Sequence, residues 1–212
     1  MQPDSAEAFF QSINASEGER SALAAIDEVF VETAAHTNLV ARSTLPERWL
    51  RHYADSAQLW SLIPENARSL LDIGSGGGFP GLVLGTLSEF RRPELCCALC
   101  ESIQKKAAFL REAAKAGGLS RTSVAALRVE ALPKAQHFDV ITARAVTALP
   151  KLLDLAAPKL AESGILLFPK GRRAEQELDE AREQWSLQVE RVPSATDPDA
   201  SILVIRSPKR TV

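Results

Sequence analysis

Leu70-Leu71-Asp72-Ile73-Gly74-Ser75-Gly76-Gly77-Gly78-Phe79-Pro80-Gly81 is the stretch whose reading decides the fold. Ser69 to Ile73 is a short apolar run with one carboxylate, the pattern of a strand buried on both faces. Gly74, Gly76 and Gly78 then alternate, with Gly77 between them. Glycine reaches backbone angles closed to other residues and lets a ligand lie against the main chain. Pro80 suits the first turn of a helix, where its missing N–H has no intrahelical partner. The stretch therefore reads strand, glycine loop, helix. Free N–H groups are expected at the helix start, facing a ligand.

Two cofactor classes use such a turn, and spacing separates them. A dinucleotide fingerprint needs a small residue where the helix packs on the strand, and Phe79 stands there instead. Asp72-x-Gly74-x-Gly76-x-Gly78 resembles the first motif of the Rossmann-like methyltransferases that use S-adenosylmethionine. A plain loop and a nucleotide site are the alternatives that a glycine run alone leaves open.

Outward from this loop, the chain of 212 residues can bury one sizeable core. Its 45% apolar and 25% charged content is that of an ordinary globular protein. A formal charge of −2 gives no global basic field, so contact with nucleic acid must come from a local patch. No apolar run approaches a membrane span, and the N-terminus lacks the charged and apolar regions of a secretory signal. A cytoplasmic protein with no membrane partner is expected. Three cysteines, Cys96, Cys97 and Cys100, form no disulfide framework. They lack the fourth ligand a structural zinc wants, so core packing in a central strand is expected, and no metal.

Residues 1–64 read as a helical extension and 65–212 as the α/β domain, the two forming one globular unit. Ser16-x-x-Glu19 is a capping box, followed by Leu23, Ile26, Phe30 and Ala34 at helical spacing. Asn38-Leu39-Val40 breaks the pattern. Ser43-Thr44 is expected to cap a further helix, with Trp49, Leu50, Tyr53, Ala57 and Trp60 as its apolar stripe. Arg48, Arg51, His52 and Asp55 lie mostly off that stripe and read, taken alone, as a solvated polar face.

From Ala67 strand and helix signals alternate, as in a parallel sheet covered on both faces. Strands are predicted at 69–73, 95–100, about 123–129, 138–142, 165–168, 187–192 and 202–206. The intervening helices are predicted at about 102–116, 149–161 and 173–185. A final strand pair after several alternating units suits a mostly parallel, seven-stranded methyltransferase sheet.

Ligands of an open α/β sheet bind beyond the carboxyl ends of the strands. Glu101 ends the second strand, where its carboxylate could accept from both hydroxyls of a ribose, or simply cap the following helix. Val129 and Glu130 follow the third strand, offering one apolar contact and one acceptor to an adenine. Arg144 leaves the fourth, beside the methyl group to be transferred. The sequence there is Ala143-Arg144-Ala145-Val146, without the Pro-Pro-aromatic turn of amine methyltransferases, and no cysteine nucleophile follows Cys100. A target already nucleophilic and carrying no proton, such as guanine N7, fits better, because alignment and desolvation then suffice. Arg144 is assigned to orientation or to the cofactor carboxylate. Methyl transfer to a small molecule or protein, and a nucleotide- or RNA-binding module without catalysis, remain open on the residues alone.

Together these residues resemble the bacterial small-subunit ribosomal RNA guanine-N7 methyltransferases, the family first called glucose-inhibited division protein B. The resemblance rests on Asn38-Leu39, His52-Tyr53-Ala54-Asp55-Ser56, Leu71 to Gly81, Glu101-Ser102 with Lys105-Lys106 and Phe109-Leu110, Arg128-Val129-Glu130, Phe138-Asp139-Val140 with Arg144-Ala145, and Lys170-Gly171. It implies methyl transfer from S-adenosylmethionine to guanine N7 of 16S ribosomal RNA, with S-adenosylhomocysteine as product. The substrate would be naked RNA or a small ribosomal subunit in assembly, and the enzyme a monomer. The resemblance implies cofactor contacts at Gly74, Phe79, Val129, Glu130 and Arg144, which join Asp72, Gly76, Gly78 and Glu101, the cofactor candidates of the loop and the second strand. Glu101 stands where the family usually has Asp. Arg144, Lys170 and His52 are the implied catalytic group, with His52, Asp55 and Lys170 on an RNA-facing rim. Arg48, Arg51, Lys105, Lys106, Arg172 and Arg173 would hold phosphates there.

Overall fold

A computed structural model of the chain describes residues 5–211; Met1 to Asp4 and Val212 lie outside it. Seven strands form one sheet, ordered β3-β2-β1-β4-β5-β7-β6. They are β1 (Ser69–Ile73), β2 (Cys96–Cys100), β3 (Thr122–Ala125), β4 (Phe138–Ala143), β5 (Leu160–Lys170), β6 (Trp185–Pro193) and β7 (Ser201–Arg210). The first five pair in parallel, while β7 runs antiparallel to both β5 and β6. From β1 the chain steps outward to β2 and β3, then returns to the other side of β1 as β4. That reversal opens a crevice at the carboxyl ends of β1 and β4, where an α/β sheet binds its ligand.

The helices are α1 (Ala6–Ser12), α2 (Glu17–Ala34), α3 (Asp55–Ala57), α4 (Gly81–Arg91), α5 (Gln104–Ala116), α6 (Leu149–Ala156) and α7 (Ala174–Arg182). Ser16 and Glu19 form the expected capping box on α2. Phe9, Leu23, Ile26, Phe30, Trp49 and Tyr53 pack with Phe79, Leu82, Phe109 and Leu110 in one core. The N-terminal helices thus share their core with α4 and α5 on one face of the sheet. A second core, with Phe138, Leu149, Phe168, Leu178 and Trp185, fills the other face.

Several boundaries differ from expectation, each for a physical reason. Ser43 and Thr44 cap no helix. Arg42–Thr44 is a single 3₁₀ turn, and a π-helical turn at Trp49–Ala54 runs through α3 into a 3₁₀ segment at Gln58–Leu62. The Thr44 hydroxyl is taken instead by Ala41 and His52. β3 stops at Ala125, and Val129 opens a 3₁₀ turn with its side chain in the second core. α6 ends at Ala156, before Pro158, and β5 begins at Leu160. Gly164 lies inside β5, where an added Cβ would come within 3.0 Å of the Asp139 carbonyl of β4. α7 ends at Arg182 because Trp185 turns into the second core and begins β6. Cys97 and Cys100 are buried as expected, but Cys96, at the start of β2, is exposed.

Candidate active site

The loop after β1 bends back over the end of β2. Gly74 and Ser75 donate their amides to the Cys100 carbonyl at 2.8 and 3.1 Å, and Gly78 donates to Ser75 at 2.7 Å. The Gly76 amide donates to Glu101 Oε2 at 2.9 Å. These loop amides are spent within the protein, and at the helix start, where free N–H groups are expected, the Leu82 amide donates to the Gly78 carbonyl at 2.7 Å. What the loop offers is room: Gly74, Gly76 and Gly78 all have positive φ, which only glycine adopts without strain. A Cβ on Gly76 would meet nothing nearer than the Gly74 carbonyl at 3.6 Å.

Asp72 carries this loop from beneath. It is fully buried, and its Oδ1 accepts from Thr142 of β4 at 2.8 Å. Oδ2 lies against the first turn of α4, where a Cβ on Gly81 would come within 2.7 Å of it. Burial pushes the Asp72 carboxyl up to about 6, with the Thr142 hydroxyl opposing. Asp72 thus lies beneath the loop, away from the cavity that opens above it. Gly78 turns its face to Leu82 and Leu110 in the core.

A cavity of about 420 Å³ lies across the loop. Gly74, Gly76, Phe79, Glu101 and Arg144 line it, together with Leu39, Val40 and Lys106. Glu101 is buried and accepts from two backbone amides, Gly76 on Oε2 and Ile103 on Oε1 at 2.7 Å. Each oxygen keeps a second lone pair, so the carboxylate can brace the loop and still receive two hydroxyls. Val129 and Glu130 are not brought to this cavity: Val129 is buried in the second core and Glu130 is exposed.

A second cavity, of about 560 Å³, adjoins the first. Thr44, His52, Arg144 and Ala145 line both. Arg144 Nη1 donates to the Arg51 carbonyl at 2.9 Å and to Asp55 Oδ2 at 3.2 Å. Its Nη2 faces His52 Nδ1 at 3.0 Å, and its guanidinium lies over the Phe79 ring, 5.5 Å from the centroid. His52 stacks on Phe79 at 5.1 Å and meets the Thr44 hydroxyl through Nε2 at 2.8 Å. Burial, then the charges of Arg144 and Arg51, pulls the His52 ring down to about 3. Burial also lowers Arg144, with Asp55 opposing; a guanidinium stays charged regardless. The expected solvated face is thus an internal polar network: His52 is buried, and Asp55 is the counter-ion of Arg144.

Immediately beyond Arg144, Ala145 has φ of 55°, a left-handed conformation that is costly for a residue with a Cβ. The turn directly follows Arg144, whose side chain reaches back to Arg51 and Asp55 of the helical region. Lys170, at the end of β5, lines the second cavity and pairs with Glu177 at 2.8 Å. Glu177 also accepts from the Leu149 amide at 2.8 Å, so it ties Lys170 to the start of α6. Of the expected phosphate-binding residues, Arg51 and Arg173 border the second cavity and Lys106 the first. Lys105 is exposed. Arg48 is withdrawn, both carboxylate oxygens of Asp27 holding it at 2.7 and 2.8 Å. Arg172 pairs with Asp199 at 2.6 Å.

Sequence reading missed Thr44 as a site residue, and it missed the tract from Ser194 to Ala200. That tract forms one wall of the second cavity. Its turn-rich composition signals a loop but not what the loop touches. Among the described residues no group of three or more His, Cys, Asp or Glu could hold a metal ion.

Solved structures with this fold include an O-methyltransferase from Bacillus cereus in complex with SAH. It is 16% identical, covers 87% of this chain and 91% of its own, and has a TM-score of 0.59. The N-methyltransferase NodS from Bradyrhizobium japonicum, also in complex with S-adenosyl-L-homocysteine, is 17% identical with a TM-score of 0.55, covering 89% of this chain and all of its own. At these identities the likeness is one of fold: the sheet is that of the S-adenosylmethionine-dependent methyltransferases. Much nearer in sequence are two proteins called ribosomal RNA small subunit methyltransferase G. The one from Rhodospirillum centenum is 50% identical over 181 residues, 85% of this chain and 81% of its own length. The one from Cereibacter sphaeroides strain ATCC 17023 is 49% identical over 170 residues, 80% of this chain and 82% of its own. The family described as rRNA small subunit methyltransferase G matches residues 20–203, nearly the whole chain, and the chain belongs to it.

Proposed function

We propose that this protein transfers a methyl group from S-adenosylmethionine to N7 of a guanine in 16S ribosomal RNA. One observation carries the reading: two cavities meet at Arg144 and His52, and no side chain at the junction is free to take a proton. The Nδ1 lone pair of His52 is occupied by Arg144 and its Nε2 proton faces Thr44, whose own hydroxyl donates to the Ala41 carbonyl. A substrate that must lose a proton on methylation is poorly served there. Guanine N7 attacks with an in-plane lone pair and needs placement alone.

The first cavity fits the donor. Bare main chain at Gly76, apolar walls at Leu39, Val40 and Phe79, and the spare lone pairs of Glu101 suit a nucleoside with two ribose hydroxyls. When bound, S-adenosylmethionine supplies an electrophilic methyl on a sulfonium. The protein's part is to orient and to exclude water. Glu101 braces the loop, Phe79 supports His52 and Arg144 from beneath, and Arg144 presents a fixed cation between the two cavities. Arg51 and Arg173 border the second cavity, where they support an RNA strand through its phosphates. His52 and Lys170 are positioning groups in this reading. The RNA is met naked or within a small subunit in assembly, by a monomeric, cytoplasmic enzyme. In support of a monomer, the large exposed apolar side chains Val31, Phe90, Ile103 and Val146 lie on different elements. No helix among the described residues is long and apolar enough to cross a membrane.

The test is mass mapping of 16S RNA and of small subunits after incubation with enzyme and labelled cofactor. Label on guanine N7 is expected; label on another atom, or on no RNA, overturns the assignment. Activity should fall steeply with salt, as phosphate-held binding does.

A further inference from the structure

The strand end that bears Arg144 is not what aims it. Asp55, its counter-ion, holds Arg144 through Oδ2 and turns Oδ1 the other way. There Oδ1 accepts from the Thr196 hydroxyl at 2.8 Å and from Gln58 Nε2 at 2.8 Å. Thr196 lies between β6 and β7, 141 residues from Asp55 in sequence. Gln58 is the hinge of this contact, because its Oε1 also accepts from the Ala195 amide at 2.8 Å and its Nε2 reaches Ser194 Oγ at 3.2 Å. Ser194 Oγ in turn accepts from the Thr196 amide at 3.2 Å, which orients the threonine. The same loop walls the second cavity.

We propose that Thr196 is a positioning residue for methyl transfer: by donating to Asp55 it sets the carboxylate plane that aims Arg144 at the junction of the two cavities. The proposal rests on the proposed function, with the target guanine entering through the second cavity, and it goes further by joining that cavity's outer wall to the cation at its inner end. A base seated against the β6–β7 loop presses on the element that orients Arg144. A hydroxyl donating to a charged acceptor is worth enough that its loss slows a step depending on it by about tenfold. Asp55 keeps Gln58 and Arg144 as partners when Thr196 is lost, so the fold does not depend on this bond.

The experiment compares wild type, Thr196→Val and Thr196→Ser in steady state on small subunits, with calorimetric titration of S-adenosylhomocysteine. Thr196→Val should lower kcat about tenfold, leave the affinity for S-adenosylhomocysteine within twofold, and leave the melting temperature within a few degrees. Thr196→Ser, which keeps the hydroxyl, should restore kcat. In an Asp55→Asn background, Thr196→Val should add no further loss. Equal rates for the valine and serine variants, or additive losses in the double variant, overturn the proposal. Mapping the wild-type product in the same samples separates this outcome from the function itself: label on guanine N7 in wild type upholds the reaction whatever Thr196 does.

Discussion

His52 Nδ1 and Arg144 Nη2 lie 3.0 Å apart, and the bond between them runs in one direction. A guanidinium can only donate, so His52 is the acceptor and carries its proton on Nε2, toward Thr44. The ring is neutral and held on both sides. It is a strut between Arg144 and the Thr44 turn.

A pH dependence follows from this bond. The folded His52 value, about 3, lies below the ordinary 6.5, so between those limits the unfolded chain binds more protons than the native one. The stability contribution is complete above about pH 6.5 and drains away as pH falls, by about 1.4 kcal/mol per pH unit. Denaturant titrations of wild type and His52→Gln from pH 4.5 to 7.5 should show the steeper acid loss in wild type. The transfer rate should show no inflection near pH 6.5; one that vanishes in His52→Gln would mean that the ring titrates during catalysis.

The glycine loop should separate binding from folding. At Gly76 an added Cβ enters the open cavity, whereas at Gly78 it would collide with Leu82 in the core. Both sites have positive φ and share a backbone cost of about 1–2 kcal/mol for any other residue. Gly76→Ala is expected to fold, with affinity for S-adenosylhomocysteine down tenfold or more. Gly78→Ala is expected to lower the melting temperature clearly further. Unchanged affinity in a folded Gly76→Ala would place the donor elsewhere.

Arg144→Lys keeps the charge and loses the planar fork. Lysine cannot reach Asp55, the Arg51 carbonyl and His52 in the same geometry, so Asp55 is left half-paired in a half-buried place. We expect kcat to fall about a hundredfold, the equivalent of about 3 kcal/mol, while S-adenosylhomocysteine still binds within tenfold. Single-turnover kinetics beside calorimetry would measure the two separately.

Ala145→Gly tests the left-handed turn that follows Arg144. Relief of the left-handed alanine should stabilise the chain by about 1 kcal/mol, which for a protein of this size raises the melting temperature by about 2–4 °C. The rate should fall as the turn loosens. A variant neither more stable nor slower would show that the conformation at Ala145 carries no cost and no function.

The sheet, the glycine loop and the carboxylate of Glu101 were legible in the residues, because strand runs, glycine spacing and a charge closing a strand are local signals. Asp72-Ile73-Gly74 is a strand end whatever surrounds it. The boundaries that moved did so where packing overruled local preference: Trp185 left its helix for the core, and Thr44 gave up a cap for His52.

The duties of the side chains are another matter. From sequence alone Arg48 and Arg51, His52 and Asp55 are equivalent polar residues beside an apolar stripe. Folding sends Arg48 to Asp27, His52 to Arg144 and Asp55 to both Arg144 and Thr196. Those partners stand 21, 92, 89 and 141 residues away. The chain by itself determined that a cavity opens over bare main chain, since backbone freedom is a property of each glycine. Which charges face that site was decided only when the sheet brought distant strand ends together, since a hydrogen bond depends on distance in space and leaves no period in the sequence.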